Sequence, residues 1–317
     1  MNESYRPTPS PPNLPEGLAS LPVDLIPGLL SLLSDTSALL THHYEQSEAL
    51  AVEHKADRSP VTDADHNAHQ CLVDGLASLT PHIPVLSEES APEDIYSRRD
   101  WQVFWMVDPL DGTKEFLGRT GEFTVNVALI VNHEPSLGAI AQPMASQCYL
   151  GIPGQGLWRC HGAQFAHQLA LQPDWGEGDR IRLLASKRHS EKRVASLVSR
   201  LAKSGKRVER VDAGSALKFC ALVDGRADIY PRSSPCYEWD VAAGDALVRA
   251  VGGLVLNEDG VPMTYNARAE LLVDYFVATA PAGRAWLPLL EGVHALFAAS
   301  GKTVKEEVGG KSAHGGR

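Results

Sequence analysis

The stretch Trp105-Met106-Val107-Asp108-Pro109-Leu110-Asp111-Gly112-Thr113-Lys114-Glu115-Phe116 decides how this chain is read. A hydrophobic run from Val103 to Val107 ends in two aspartates separated by Pro109-Leu110. A strand that delivers carboxylates to its carboxyl end is a common way to hold a hard cation. Gly112 permits close backbone approach to a ligand. Gly112-Thr113 then opens a short helix, where amides favour an anion. Carboxylates for a cation and amides for a phosphate, within a few residues, point to metal-assisted phosphoryl chemistry. Asp-Pro and Asp-Gly are also ordinary turn residues, so the motif needs partners elsewhere in the chain.

Those partners are acids at other element ends. Pro84-Val85-Leu86-Ser87-Glu88-Glu89 reads as a short strand ending in two glutamates. Glu238-Trp239-Asp240-Val241-Ala242-Ala243-Gly244 places Asp240 at a helix start. A solvated Glu pair and a capping Asp are the plain alternatives. Glu88, Asp108, Asp111 and Asp240 together form an oxygen-only donor set, which favours Mg²⁺ over Zn²⁺. Aspartyl-phosphate chemistry needs an Asp-x-Asp nucleophile, and Asp108 and Asp111 are three apart. Pro109-Leu110 likewise spoils the alternating acids of an EF-hand loop.

Composition sets the frame. The chain has 317 residues, 44% hydrophobic and 21% charged, with a formal net charge of -10. The length suits one large or two medium domains with a sizeable core. The acidic balance argues against nucleic-acid binding through a basic surface. The five scattered cysteines form no CxxC pair and are odd in number, which favours a reducing compartment. No run of about 18 apolar residues reads as a transmembrane helix, and Met1–Ser20 has no signal-peptide core. These features lead to the expectation of a cytoplasmic protein.

Along the chain, residues 1–20 read as a disordered arm rich in Pro and Ser. Leucines 25, 29, 30, 32, 33, 39 and 40 predict a core-facing helix over 21–46. A second helix is expected over 66–79, capped by Asp63 or Asp65. Residues 91–100 read as a polar loop. Glu122–Asn132 alternates as a strand, followed by a meander near 137–142, 146–151 and 156–160. Residues 161–179 read as a connector. The expected domains are an α+β unit over 21–170 and an α/β unit over 171–300, with a disordered tail over 301–317. In the second unit, strands are expected at 180–185, 207–211, 226–230, 254–257 and 275–280. Helices are expected at 190–203, 214–223, 239–251 and 283–299.

The carboxylate motifs carry a resemblance. Glu88-Glu89, Asp108-Pro109-Leu110-Asp111-Gly112-Thr113, Gly214-Ser215-Ala216-Leu217-Lys218-Phe219-Cys220 and Trp239-Asp240-Val241-Ala242-Ala243-Gly244 closely resemble the lithium-sensitive, Mg²⁺-dependent phosphatases of the inositol monophosphatase superfamily. The resemblance covers roughly residues 25–285. Within that superfamily, four stretches look most like the bacterial 3′(2′),5′-bisphosphate nucleotidases of the CysQ type. They are Lys55–Asp65, Lys114-Glu115-Phe116, Gly121-Glu122-Phe123-Thr124-Val125-Asn126 and Tyr230-Pro231-Arg232.

The resemblance implies a five-layer α-β-α-β-α sandwich and two or three Mg²⁺ ions. Glu88, Asp108 and the Leu110 carbonyl would hold one ion. Asp108, Asp111 and Asp240 would hold another, and a third would sit near Glu88. Asp65 and Thr113 would orient the attacking water, and the amides of Gly112 and Thr113 would bind the transferred phosphate. For a second phosphate, Ser215 and Lys218 are the first candidates, with Ser186-Lys187-Arg188-His189 and Arg232 behind them. Relatives read Gly-Ser-Ser where this chain has Gly214-Ser215-Ala216, which removes one hydroxyl. The implied reaction is hydrolysis of adenosine 3′,5′-bisphosphate to AMP in sulfate assimilation, with its 5′-phosphosulfate analogue as a second substrate. Inositol monophosphatase activity is the alternative. Relatives of this type can sit on the cytoplasmic face of the inner membrane, and the oligomeric state is not readable from the sequence.

Overall fold

The computed structural model describes residues 21–46, 52–54, 60–162, 165, 167–170, 180–185, 198–199, 201–203 and 205–287. The expected arm at 1–20, the tail at 301–317 and the Ser186–His189 candidates lie outside these residues, as does most of the helix expected over 190–203.

Two helices start the described chain, α1 (Leu25–Gln46) and α2 (Asp63–Leu79). They bury Leu25, Leu29, Leu30, Leu33 and Leu40 with Ala64, Ala68, Leu72 and Leu76. These side chains pack on one face of a seven-stranded sheet, against Trp105, Val107, Val125, Val127 and Leu129. The sheet runs in the order β3 (Val85–Ser87), β4 (Val103–Asp111), β5 (Thr124–Val131), β6 (Glu134–Gln142), β7 (Gln147–Ile152), β8 (Gly156–His161) and β9 (His167–Ala170). Only β3 and β4 pair in parallel, and the rest form an antiparallel meander. A short antiparallel pair, β1 (Val52–His54) with β2 (Pro60–Thr62), leads into α2.

The other face of this sheet is equally apolar. Phe104, Met106, Ala128, Ile130 and Ile140 meet a second pair of helices and, beyond them, Val255, Phe276 and Ala278 of a five-stranded sheet. That is why β5 is buried along seven of its eight residues: alternate side chains serve two different cores. Past two short helices, α3 (Pro92–Ser97) and α4 (Thr113–Leu117), the middle helices are α5 (Leu217–Val223) and α6 (Ala242–Ala250). The small residues of α6 let it lie flat on the sheet. A Cβ added at Gly138 of β6 would come within 2.4 Å of the Ala243 carbonyl.

The second sheet has the order β11 (Arg207–Asp212), β10 (Arg180–Ala185), β12 (Ile229–Arg232), β16 (Phe276–Thr279) and β14 (Leu254–Asn257). Its outer face carries Ile181, Leu183, Ile229 and Val277 against Leu201, with Val198 and Leu287 packed on this cluster. Helices, the seven-stranded sheet, helices and the five-stranded sheet stack as four described layers, α-β-α-β, in the order of the expected five-layer sandwich, and the expected outer helices fall largely outside the described residues. No described helix is long and apolar enough to cross a membrane.

Several expectations need correction. Residues 91–100 form a short helix α3 (Pro92–Ser97) and a 3-10 turn (Arg98–Asp100) rather than a loop. Pro92 sits in the first turn, where its fixed φ suits a helix, and Arg98 is 1% exposed. His167–Ala170, expected within the connector, pairs with β8 as the last strand of the sheet. The helix expected over 239–251 is split: a 3-10 turn at Glu238–Asp240 precedes α6. Asp240 therefore ends a turn instead of starting a helix. The helix expected from 283 begins, in its described part, as a 3-10 turn over Pro281–Trp286. The strand expected at 226–230 is shifted to Ile229–Arg232. A pairing of β13 (Cys236–Tyr237) with β15 (Leu272–Val273) had no signal strong enough to predict.

Candidate metal centre and phosphate site

Asp108 and Asp111 both belong to β4, which continues through Pro109 instead of ending at Val107. In a regular strand, residues three apart face opposite sides. Here Asp108 pairs with Asn126 and Asp111 with Thr124, so Pro109 and Leu110 oppose Val125 alone. This is a β-bulge, and it re-aims one side chain onto the face of the other. Pro109 suits the bulge because its missing N–H leaves no ladder bond unmade.

The result is a cluster. Oxygens of Asp108, Asp111 and Asp240 all lie within 4.8 Å of one another. Asp240 arrives from the 3-10 turn, where its Oδ2 accepts a bond from the Tyr237 amide at 2.7 Å. Asp108 Oδ1 accepts from the Leu110 amide at 3.1 Å, and Asp108 Oδ2 is buried with no hydrogen-bond partner. Burial pushes the Asp108 carboxyl well above the usual range, and the charges of Glu88, Asp111 and Asp240 push it further. Asp240 is raised to about 6 by burial, with Arg232 opposing and Asp111 adding. Glu88 follows β3, its amide bonded to the Val107 carbonyl at 3.0 Å. Acids crowded this closely around a buried Asp108 are costly without a compensating cation.

Asp111 is held from the side. Its Oδ2 accepts from the Ser215 hydroxyl at 2.8 Å and from Asn126 Nδ2 at 3.5 Å. Ser215 has a left-handed backbone, φ 45°, and its Oγ also meets Thr124 Oγ1 at 2.7 Å and the Ala216 amide at 2.6 Å. Thr124 in turn donates to Asn126 Oδ1 at 3.0 Å. Thr124 and Asn126 were not singled out as site residues. Two polar side chains two apart at the start of an otherwise apolar strand were the available signal.

Asp65 and Thr113 meet. The Thr113 hydroxyl donates to Asp65 Oδ1 at 3.1 Å, with the Leu110 carbonyl 3.4 Å away. Asp65 is not the N-cap of α2. Thr62 is the N-cap, and Asp65, at the third helical position, reaches back to the Thr62 amide at 2.8 Å and its hydroxyl at 2.6 Å. This capping box leaves one carboxylate oxygen for Thr113. Burial raises the Asp65 carboxyl, with the Thr62 bonds opposing. Gly112 turns the chain with φ 97°, and a Cβ there would lie 3.1 Å from the Glu122 carbonyl and 3.3 Å from Ser215 Cβ. Only glycine takes that path freely.

Lys218 is 4% exposed, and its Nζ donates to the Ser215 carbonyl at 3.0 Å and lies 5.5 Å from the Tyr230 ring centre. Burial lowers it to about 8, and the charge of Asp111 opposes the shift.

Residues 25–284 match the model of the inositol monophosphatase family. The chain belongs to the inositol monophosphatase family. Among curated family relatives, the Escherichia coli K12 protein named 3′(2′),5′-bisphosphate nucleotidase CysQ is 38% identical over 231 residues, 72% of this chain and 89% of that protein. The protein of the same name from Aggregatibacter actinomycetemcomitans is 32% identical over 257 residues, 81% of this chain and 93% of its own. Among solved structures of the family, CysQ from Bacteroides thetaiotaomicron aligns with a TM-score of 0.70 at 34% identity, covering 81% of this chain and 97% of that one. A Thermotoga maritima IMPase aligns with a TM-score of 0.68 at 20% identity, covering 88% and 99%, which speaks to the fold alone.

Proposed function

We propose that this chain is a Mg²⁺-dependent 3′(2′),5′-bisphosphate nucleotidase that removes the 3′-phosphate of adenosine 3′,5′-bisphosphate to leave AMP. The observation that carries the metal dependence is the Asp108–Asp111–Asp240 cluster, in which Asp108 is buried with one oxygen unpartnered. Its donors are all oxygens, as Mg²⁺ requires. Glu88, Asp108 and the Leu110 carbonyl would hold one ion, and Asp108, Asp111 and Asp240 another, with a third near Glu88. When bound, such ions lower the pKa of a water and neutralise phosphoryl and leaving-group charge.

The protein's own part is to orient and to move a proton. Thr113 has one hydroxyl proton and gives it to Asp65. Its remaining lone pairs then accept from a water, so the pair fixes that water's direction of attack. A proton leaving the water passes to Thr113 as the Thr113 proton passes to Asp65. Burial raises the Asp65 carboxyl, which makes it a better proton acceptor than an exposed aspartate. The turn amides of Gly112 and Thr113 offer donors to the transferred phosphate. Lys218 supplies a buried cation beside Asp111 for the second phosphate. Relatives named as bisphosphate nucleotidases at 38% identity support this substrate over inositol phosphates. The 5′-phosphosulfate analogue would fit the same cradle, in a cytoplasmic sulfate-assimilation role.

A phosphate-release panel at fixed Mg²⁺ tests the reading. Adenosine 3′,5′-bisphosphate is expected to be hydrolysed with a far higher kcat/KM than inositol 1-phosphate, and chelation of Mg²⁺ is expected to abolish both. Equal or reversed kcat/KM values would favour inositol monophosphatase activity.

A further inference from the structure

The acids of the cluster come from two segments far apart in the chain, Asp108 and Asp111 on β4 and Asp240 on the 3-10 turn. Three like charges within 4.8 Å push one another apart. Something rigid must tie the two segments together.

A buried polar knot lies where both segments begin. Arg98, just ahead of β4, gives Nη1 to Asn266 Oδ1 and Nη2 to the Ala269 carbonyl at 2.6 Å and the Arg268 carbonyl at 3.3 Å. Asn266 Nδ2 returns a bond to the Arg98 carbonyl at 2.7 Å. The Asn266 backbone N–H donates to Glu238 Oε2 at 2.6 Å, and Glu238 opens the turn that ends in Asp240. The Glu238 amide bonds the Leu271 carbonyl at 2.9 Å. Arg98, Asn266 and Glu238 are 1%, 4% and 0% exposed. Burying two charged side chains is costly, and a hydrophobic filler would serve packing alone. The knot touches none of the cluster's carboxylates, yet it connects both segments that carry them.

We propose that Arg98 and Asn266 are positioning residues for the divalent cation: through Glu238 they hold the Asp240 turn at a fixed distance from the β4 aspartates. The proposal rests on the metal reading above. Groups that orient metal ligands without touching the metal commonly govern its affinity.

Calorimetric titration of Mg²⁺ into the purified full chain tests it. Asn266→Gly removes the side chain and with it both bonds to Arg98, keeps the backbone bond to Glu238, and leaves the left-handed backbone, φ 56°, unstrained. It is expected to raise the Mg²⁺ Kd about 10-fold or more, with kcat largely regained at saturating Mg²⁺. Arg98→Lys keeps the charge but cannot reach the same acceptors, and it is expected to shift Kd in the same direction. Asp228→Asn is the comparison. It breaks a buried pair with Arg182, Nη2 to Oδ1 at 2.7 Å, and should lower the Tm with Kd within about 2-fold of the parent. If the Asn266 and Arg98 variants bind Mg²⁺ like the parent, or Asp228→Asn weakens binding as much as they do, the proposal is overturned. Should Asn266→Gly fail to fold, Arg98→Lys decides by the same criterion. A parent chain that takes up no Mg²⁺ would instead sink the metal reading itself.

Discussion

Thr113 Oγ1 lies 3.1 Å from Asp65 Oδ1, joining the first turn after the bulged strand to the first turn of α2, 48 residues earlier. The bond spends the one Thr113 proton on Asp65, so the hydroxyl faces a reacting water as an acceptor. Thr113→Val keeps the shape and removes this acceptor. It is expected to lower kcat by about 100-fold or more, with the Mg²⁺ Kd and the KM nearly unchanged. A rise in Kd with kcat preserved at saturating Mg²⁺ would assign Thr113 to metal binding instead.

Asp111 stands with Asp108 and Asp240 in the carboxylate cluster. Asp111→Asn keeps an acceptor for Ser215 but loses the charge. Turnover is expected to be nearly abolished while the circular-dichroism spectrum stays that of the parent. Retained turnover would contradict a metal role for Asp111.

Ser215 Oγ is 2.8 Å from Asp111 Oδ2, which places it behind a carboxylate rather than in open space. Ser215→Ala is therefore expected to weaken Mg²⁺ binding by about 10-fold and to leave the KM for the bisphosphate nearly unchanged at saturating Mg²⁺. A higher KM with parental Mg²⁺ affinity would return Ser215 to the phosphate cradle.

Desolvation raises the Asp240 carboxyl from its ordinary 3.8 to about 6, with Arg232 opposing and Asp111 adding to the shift. A raised carboxyl holds its proton more tightly folded than unfolded. In the metal-free protein it therefore stabilises the fold below about pH 4, and that contribution is lost as pH rises through about 6. Asp108 moves in the same direction. Mg²⁺ must displace these protons, so the Tm gain from added Mg²⁺ is expected to be larger at pH 7.5 than at pH 5.5. A gain independent of pH over that interval would show that the carboxyls are already ionised without metal.

Much of the molecule could be read from residue order. Leucines at helical spacing marked α1, and alternation marked β5 and the meander beside it. Glu88, Asp108-Pro109-Leu110-Asp111-Gly112-Thr113 and Trp239-Asp240 pointed to the family, and three of these acids, Asp108, Asp111 and Asp240, lie within 4.8 Å of one another. What stayed hidden depends on partners distant in sequence. The side-chain period of β4 puts Asp108 and Asp111 on opposite faces, and only the pairing with β5 reveals the bulge that unites them. Asp65 looked like a cap until Thr62 took that role and left an oxygen for Thr113. Arg98 sits in a polar run that gives no hint of burial, because its acceptors lie about 170 residues away.

Local chemistry along the chain thus determined most of the element types and the family, and it pointed to an oxygen donor set suited to a hard cation. Whether the donors converge was a tertiary decision. Convergence needs a strand bulge, a turn ahead of α6 and a buried link between them, and each of these is set by hydrogen bonds between segments whose separation in sequence carries no periodic signal.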